Sequence, residues 1–192
     1  MPRAGLNQPT VVREAARLAD EVGFGQLTLA ALAARLGVAL PSLYKHVKGA
    51  DALAQKLSAL ATAEIAEEMS AAAVGRAGAD ALRAVANAYR AYARRHPGRY
   101  PAAQRAPDPA DPEHLAAGER AVAVVYAILR GYGVTGEPAV DAVRAFRSAV
   151  HGFVSLEAAG GFGLPRDVDR SFERLVDGLD IAFRSWPGRD QS

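Results

Sequence analysis

The stretch Pro41-Ser42-Leu43-Tyr44-Lys45-His46-Val47-Lys48 gathers a hydroxyl, a phenol, an imidazole and two ammonium groups into little more than two helical turns. At about 100° per residue, Leu43 and Val47 share one face, Pro41 and Lys45 point away from it, and Ser42 and Tyr44 lie on the flanks. Such an element buries an aliphatic pair and displays hydrogen-bond donors and a cation. The chemistry this suits is recognition: donors of this kind meet phosphate oxygens and base edges, and a short helix fits a major groove about 12 Å wide.

Catalytic chemistries find no support. The 192 residues include no cysteine, which excludes a disulfide scaffold, a thiolate metal site and a cysteine nucleophile. The histidines, His46, His96, His114 and His151, show no pair at metal-ligand spacing, and no GxSxG elbow or GK[ST] phosphate loop occurs. Gly23-Phe24-Gly25 and Gly160-Gly161-Phe162-Gly163 read as helix terminators. The expectation is a protein that is not an enzyme and needs no metal or cofactor. Apolar runs such as Ala121 to Ala127 fall far short of the about 20 residues that span a bilayer. With no export signal visible, a cytoplasmic, nucleoid-associated protein without a membrane partner is expected.

Charge is unevenly spread. Residues 1 to 56 carry a balance of +3 and the remainder −1, and all three lysines, Lys45, Lys48 and Lys56, lie between positions 45 and 56. A local cationic patch on a nearly neutral body suits a polyanion.

The elements that must hold these residues are helices, since nowhere do β-branched and polar residues alternate for long enough to make a sheet. Val11, Ala15, Leu18 and Val22 recur at helical spacing until Gly23. Thr28 caps a second helix through Leu29, Leu32, Ala33 and Leu36, which Gly37 ends. Pro41 opens a third helix reaching about Val47. Asp51 is read as the cap of a long fourth helix running through Leu53, Leu57, Leu60 and Ile65 towards Met69. About five more follow, with breaks at His96 to Gly98, Pro107 to Pro112, Gly131 to Pro138 and Gly160 to Pro165. The fold class is all-α with about nine helices: a three-helix helix-turn-helix domain over 1–50, then a larger helical domain over 51–192, for which ligand binding and dimerisation are expected on the grounds given below.

Leu27-Thr28-Leu29-Ala30-Ala31-Leu32-Ala33, Leu36-Gly37-Val38 and Pro41 to Lys48 together resemble the TetR family of bacterial transcriptional repressors. The likeness is close over about Val11 to Leu57. It implies a homodimer whose helix-turn-helix domains bind a palindromic DNA operator and whose carboxy-terminal domains hold a small-molecule effector that releases it. By position it implies a phosphate contact for Thr28, base or groove contacts for Leu40, Pro41, Ser42 and Lys45, and phosphate contacts for Tyr44 and His46, with Lys48 just beyond. Leu40 and Ala50 depart from the pattern, being apolar where a polar base reader and a lysine are often found. The rival reading is a helical small-molecule carrier or protein-interaction module without a DNA partner.

Between Pro138 and Gly160, Val143, Phe146, Val150 and Val154 form one stripe. Ala145, Ala149, Gly152, Leu156 and Ala159 form a second, made mostly of small residues. A helix apolar on two sides needs two partners. Together with Leu175, Leu179 and Phe183 of the last helix, Ala145, Ala149, Gly152 and Leu156 are the expected dimer interface. The run His151 to Glu157 followed by Ala-Ala-Gly-Gly also resembles a carboxy-terminal subtype of the family. Five of the six tyrosines lie between Asp80 and Tyr132. Tyr89, Tyr92, Tyr126, Phe146 and His151 are the expected ligand pocket, with Tyr89 and Tyr126 open between core and pocket wall. Arg90, Arg94, Arg95 and Arg99 read as a solvated face.

Overall fold

The computed structural model describes residues 6–187, which form nine α-helices and one 3₁₀ turn. The all-α expectation holds. The chain forms two compact units. One comprises the residues up to Glu64 together with Arg95–Gly118, and the other Ile65–Arg94 together with the chain from Glu119 onward.

In the first unit, α1 (Gln8–Val22) starts at Asn7, whose side-chain oxygen accepts from the Thr10 N–H at 2.9 Å. It ends at Gly23, where φ is +89°. The turn Phe24–Gln26, unforeseen from spacing, leads to α2 (Leu29–Leu36). Thr28 caps α2 as expected, its Oγ1 accepting from the Ala31 N–H at 3.1 Å. At the other end Gly37 takes the left-handed conformation, and the Val38 N–H reaches back to the Ala33 carbonyl, a Schellman stop that turns the chain towards α3 (Leu40–Leu43). Regular helix ends at Leu43, shorter than expected. The chain nevertheless keeps turning, with Val47 N–H donating to Leu43 O at 3.1 Å. The fourth helix, α4 (Ala50–Ala73), begins before Asp51, so Asp51 lies in its first turn instead of capping it and pairs with Arg105 at 2.6 Å.

Val11, Ala15, Leu18, Leu32, Ala33, Leu43, Val47 and Leu53 form the core of this unit. Val22, at the end of α1, is exposed against expectation because the helix has run past that core. A smaller cluster, Ala16, Ala19, Leu57 and Ala102, seats the short α6 (Arg99–Ala102). Glycine is required there: a Cβ on Gly98 would lie 1.9 Å from the Ala19 carbonyl oxygen. The Gly98 and Arg99 N–H groups donate to Asp20 of α1, at 3.1 and 2.9 Å, so a carboxylate from another helix caps α6.

The second unit contains α5 (Gly78–Arg95), α8 (Gly136–Ala158) and α9 (Val168–Arg184), with parts of α4 and of α7 (Pro112–Arg130). Its interior is built from Leu82, Val85, Ile128, Leu129, Phe146, Val150, Phe172, Val176 and Phe183. Pro138 falls inside the first turn of α8, where its missing N–H costs nothing, and not before the helix as expected.

Arg90 contradicts the solvated-face reading. It is buried, its guanidinium lies 4.6 Å from the Phe172 ring centroid and 5.4 Å from that of Phe153, and it donates to both oxygens of Glu157 at 2.8 and 2.5 Å. Arg94 joins Glu157 and Asp169, while Arg99, in the first unit, is paired with Asp20 and Glu64. The Arg90 hydrogen bonds hold the Glu157 carboxyl below its ordinary range. Phe153 and Glu157, one turn apart on α8, thus explain part of the His151 to Glu157 run as the receptor for Arg90. No helix among the described residues is long and apolar enough to cross a membrane.

Candidate nucleic-acid interface

The turn at Gly37 fixes where α3 leaves α2, and two side chains then fix how α3 is rotated. Leu43 is 0% and Val47 2% exposed, both in the core. The opposite side follows: Pro41, Lys45 and Lys48 are exposed, Tyr44 is 51% exposed, and Ser42 and His46 are half-buried. Gln8 of α1 donates to the His46 carbonyl at 3.1 Å, tying the turn after α3 to the start of α1. Thr28 is exposed beside this surface, and because its oxygen is used as an acceptor its hydroxyl proton is free to donate. Leu40 sits apart from the rest. It is half-buried and packs on the core, so less of it faces outward than of its neighbours.

Charge separates these residues from most of the unit's other cations, although Arg13, exposed on α1, has no carboxylate partner among the described residues. The Lys45 and Lys48 side chains have no ion pair or hydrogen bond among the described residues. Lys56, counted in the basic patch, is paired with Asp111 at 2.8 Å and holds that carboxyl below its ordinary range. Arg35 is clasped by Glu14 and Glu21, and Arg17 pairs with Glu14. Arg3 lies outside the described residues. The patch that spacing suggested is therefore narrower than the count of basic residues, and it centres on α3. No local signal announces the Lys56 and Arg35 pairings, whose partners stand 55 and up to 21 residues away.

Comparison with known proteins agrees with this geometry. Residues 11–57 match the family described as bacterial regulatory proteins, tetR family, and residues 82–179 match the tetracyclin repressor-like C-terminal domain. The chain is 42% identical over 158 residues to the HTH-type transcriptional regulator Rv0681 of Mycobacterium tuberculosis, covering 82% of this chain and 72% of that protein. The chain belongs to the TetR family. It is also 33% identical over 168 residues to the HTH-type regulator YobS of Bacillus subtilis, covering 87% of each chain. A TetR variant from Acinetobacter baumannii, solved in complex with minocycline, superposes with a TM-score of 0.73 at 27% identity, over 94% of this chain and 98% of that one. The protein is a helix-turn-helix transcriptional regulator of TetR type, with a regulatory and not an enzymatic role.

In this TetR-family chain the expected pocket residues do not share one environment. Tyr92 and Phe146 are fully buried, and Tyr89 and His151 are half-buried, with His151 3.4 Å from Ser155 Oγ on the next turn of α8. Burial lowers the pKa of His151, with Arg147 adding to the effect. Of the five, Tyr126 alone lines the cleft between α7 and α8. The expected dimer residues also divide. Ala145, Ala149, Gly152 and Leu175 are half-buried and Leu156 is 53% exposed, which leaves that stripe open on the protomer.

Leu179 and Phe183 correct the expectation, because both are buried within the protomer. Phe183 packs edge-on against Tyr132 and Trp186, at 5.9 and 5.5 Å between ring centroids. Ile181, 67% exposed on the other side of α9, is the apolar residue that periodicity overlooked. It belongs to no long stripe, and only the orientation of α9 reveals it.

Proposed function

We propose that this regulator is a ligand-responsive repressor. It binds a palindromic operator as a homodimer through its helix-turn-helix domain, residues 1–50, and leaves the operator when its domain over 51–192 takes up a small molecule. The observation that carries the reading is the pairing of buried Leu43 and Val47 with exposed, unpaired Lys45 and Lys48 on the same short element. A lysine with no carboxylate beside it loses nothing intramolecular when a phosphate approaches, and releases counterions from the duplex. Ser42, Lys45 and Pro41 meet the groove, Thr28, Tyr44 and His46 meet phosphates, Lys48 adds charge at the rim, and Leu40 offers a methyl contact.

Dimerisation uses the open α8 stripe of Ala145, Ala149, Gly152 and Leu156 with Leu175 and Ile181 of α9, where small residues let helices approach closely. A twofold axis then places two copies of α3 on half-sites about 34 Å apart or a multiple of it. The effector acts by binding more tightly to the conformation in which the two copies of α3 no longer match that spacing. Minocycline in the Acinetobacter relative is the precedent for a small-molecule ligand in such a chain.

The test is selection of duplexes from a random pool by the purified full chain. Enrichment of an inverted repeat, bound with two protomers per site, is the expected result. A pool that yields no preferred sequence, or an asymmetric single site, overturns the proposal.

A further inference from the structure

The cleft between α7 and α8 carries an inference independent of operator binding. It has a volume of about 300 Å³ and is lined by Ala123, Tyr126, Arg130, Val134, Thr135, Gly136 and Ala139. Ala123, Tyr126 and Arg130 occupy successive turns of one face of α7. The opposite wall is made by the turn that ends the helix. Val134 N–H donates to Leu129 O, Gly133 N–H donates to Arg130 O, and Gly133 has φ of +72°, a Schellman stop that buries Val134 completely. Ala139, 2% exposed, closes the floor from α8. The cleft thus has apolar walls and a rigid frame.

Two polar groups in it have nothing to bind. The Arg130 guanidinium is exposed and, like the Tyr126 phenol, has no hydrogen bond or ion pair among the described residues. Elsewhere in the second unit Arg83, Arg90, Arg94 and Arg184 are each held by a carboxylate. A guanidinium presents a planar fork that matches a carboxylate through two parallel hydrogen bonds, and an adjacent phenol ring offers a flat face and a hydroxyl. The volume is at the small end for ligand sites. Ala139 lies about 110° round α8 from the centre of the small-residue stripe and nearly two turns before its first member, Ala145, so the cleft does not share residues with the proposed dimer surface.

We propose that this cleft is a binding site for a small planar carboxylate, its carboxylate on Arg130 and its ring between Tyr126 and the Val134–Ala139 wall. The test is a titration of the full chain with 4-fluorobenzoate followed by fluorine NMR, with 4-fluorobenzamide as the uncharged match. Saturable binding of the acid is expected, at least tenfold weaker to Arg130→Gln and blocked by Ala123→Trp, which fills the cleft from an exposed position. The amide is expected to bind at least tenfold more weakly than the acid. Circular dichroism of both variants should match the parent, and Lys45→Ala, which weakens DNA binding, should leave the acid's affinity unchanged. Equal binding of acid and amide, equal affinity in Arg130→Gln, or no saturation overturns the proposal. None of these outcomes bears on the selection of duplexes.

Discussion

Around α3 the cations Lys45 and Lys48 face outward with no carboxylate against them, whereas in the second unit Arg90 lies against two aromatic rings with Glu157 on its guanidinium. The first arrangement contributes nothing to holding the chain together and leaves charge available to a partner. The second takes a charge out of water and needs every contact it has. A positive side chain is thus informative about function only once its partner, or the lack of one, is known. Counted by composition, the cations of α3, Arg90 and Lys56 are indistinguishable.

The contrast can be broken by mutation, and the largest effect is expected at Arg90. Arg90→Ala leaves Glu157 with Arg94 alone and empties the space beside the Phe153 and Phe172 rings, so a loss of about 3–5 kcal/mol is expected in urea unfolding. A loss below about 1 kcal/mol would mean that the buried pair is no more structural than the surface lysines. Leu43→Ala should cost about 2–5 kcal/mol, the usual range for a buried leucine, and should remove duplex binding through the loss of α3's seat. Hydrogen exchange localised to residues 28–47 is the readout.

Acidification sharpens the same comparison. Because the Arg90 hydrogen bonds hold the Glu157 carboxyl below its usual 4.5, the folded state binds fewer protons there than the unfolded state does. That contribution is complete above pH 4.5 and is lost as pH falls through the folded-state value. His114, fully buried with Ser58 Oγ 3.1 Å from its Nε2, has a pKa lowered from 6.5 chiefly by burial. The unfolded chain therefore takes up this proton first, and stability declines as pH drops below 6.5. Urea midpoints measured from pH 8 to 3 should fall in two stages, with the lower stage diminished in Arg90→Ala. A midpoint independent of pH would contradict both assignments. The smallest effect on stability is expected at the reading surface, where Lys45→Ala and Lys48→Ala should each stay within about 0.5 kcal/mol of the parent.

What spacing made legible is what short-range geometry controls. Thr28, Gly37, Leu43 and Val47 lie within a few residues of the contacts that define them, so cap, turn and buried pair are all found where expected. Arg90 with Glu157 and Lys56 with Asp111 are separated by 67 and 55 residues, and no period connects them. Leu179 and Phe183 show the same limit from another side. Periodicity identifies an apolar face of α9 but not whether the protomer's own Tyr132 and Trp186 cover it. Spacing extends α3 to Val47 although regular helix ends at Leu43, because a turn continued by single hydrogen bonds through Val47 has the same side-chain directions as a longer helix.

The central claim is that the outer face of α3 supplies the charge that meets DNA. It is tested most directly by the salt dependence of binding to a selected duplex, comparing the parent with a variant carrying Lys45→Ala, Lys48→Ala and Tyr44→Phe. The account predicts an unfolding midpoint like the parent's, weaker binding, and a log K against log salt slope shallower by about one for each phosphate contact removed. Unchanged affinity together with an unchanged slope would contradict it.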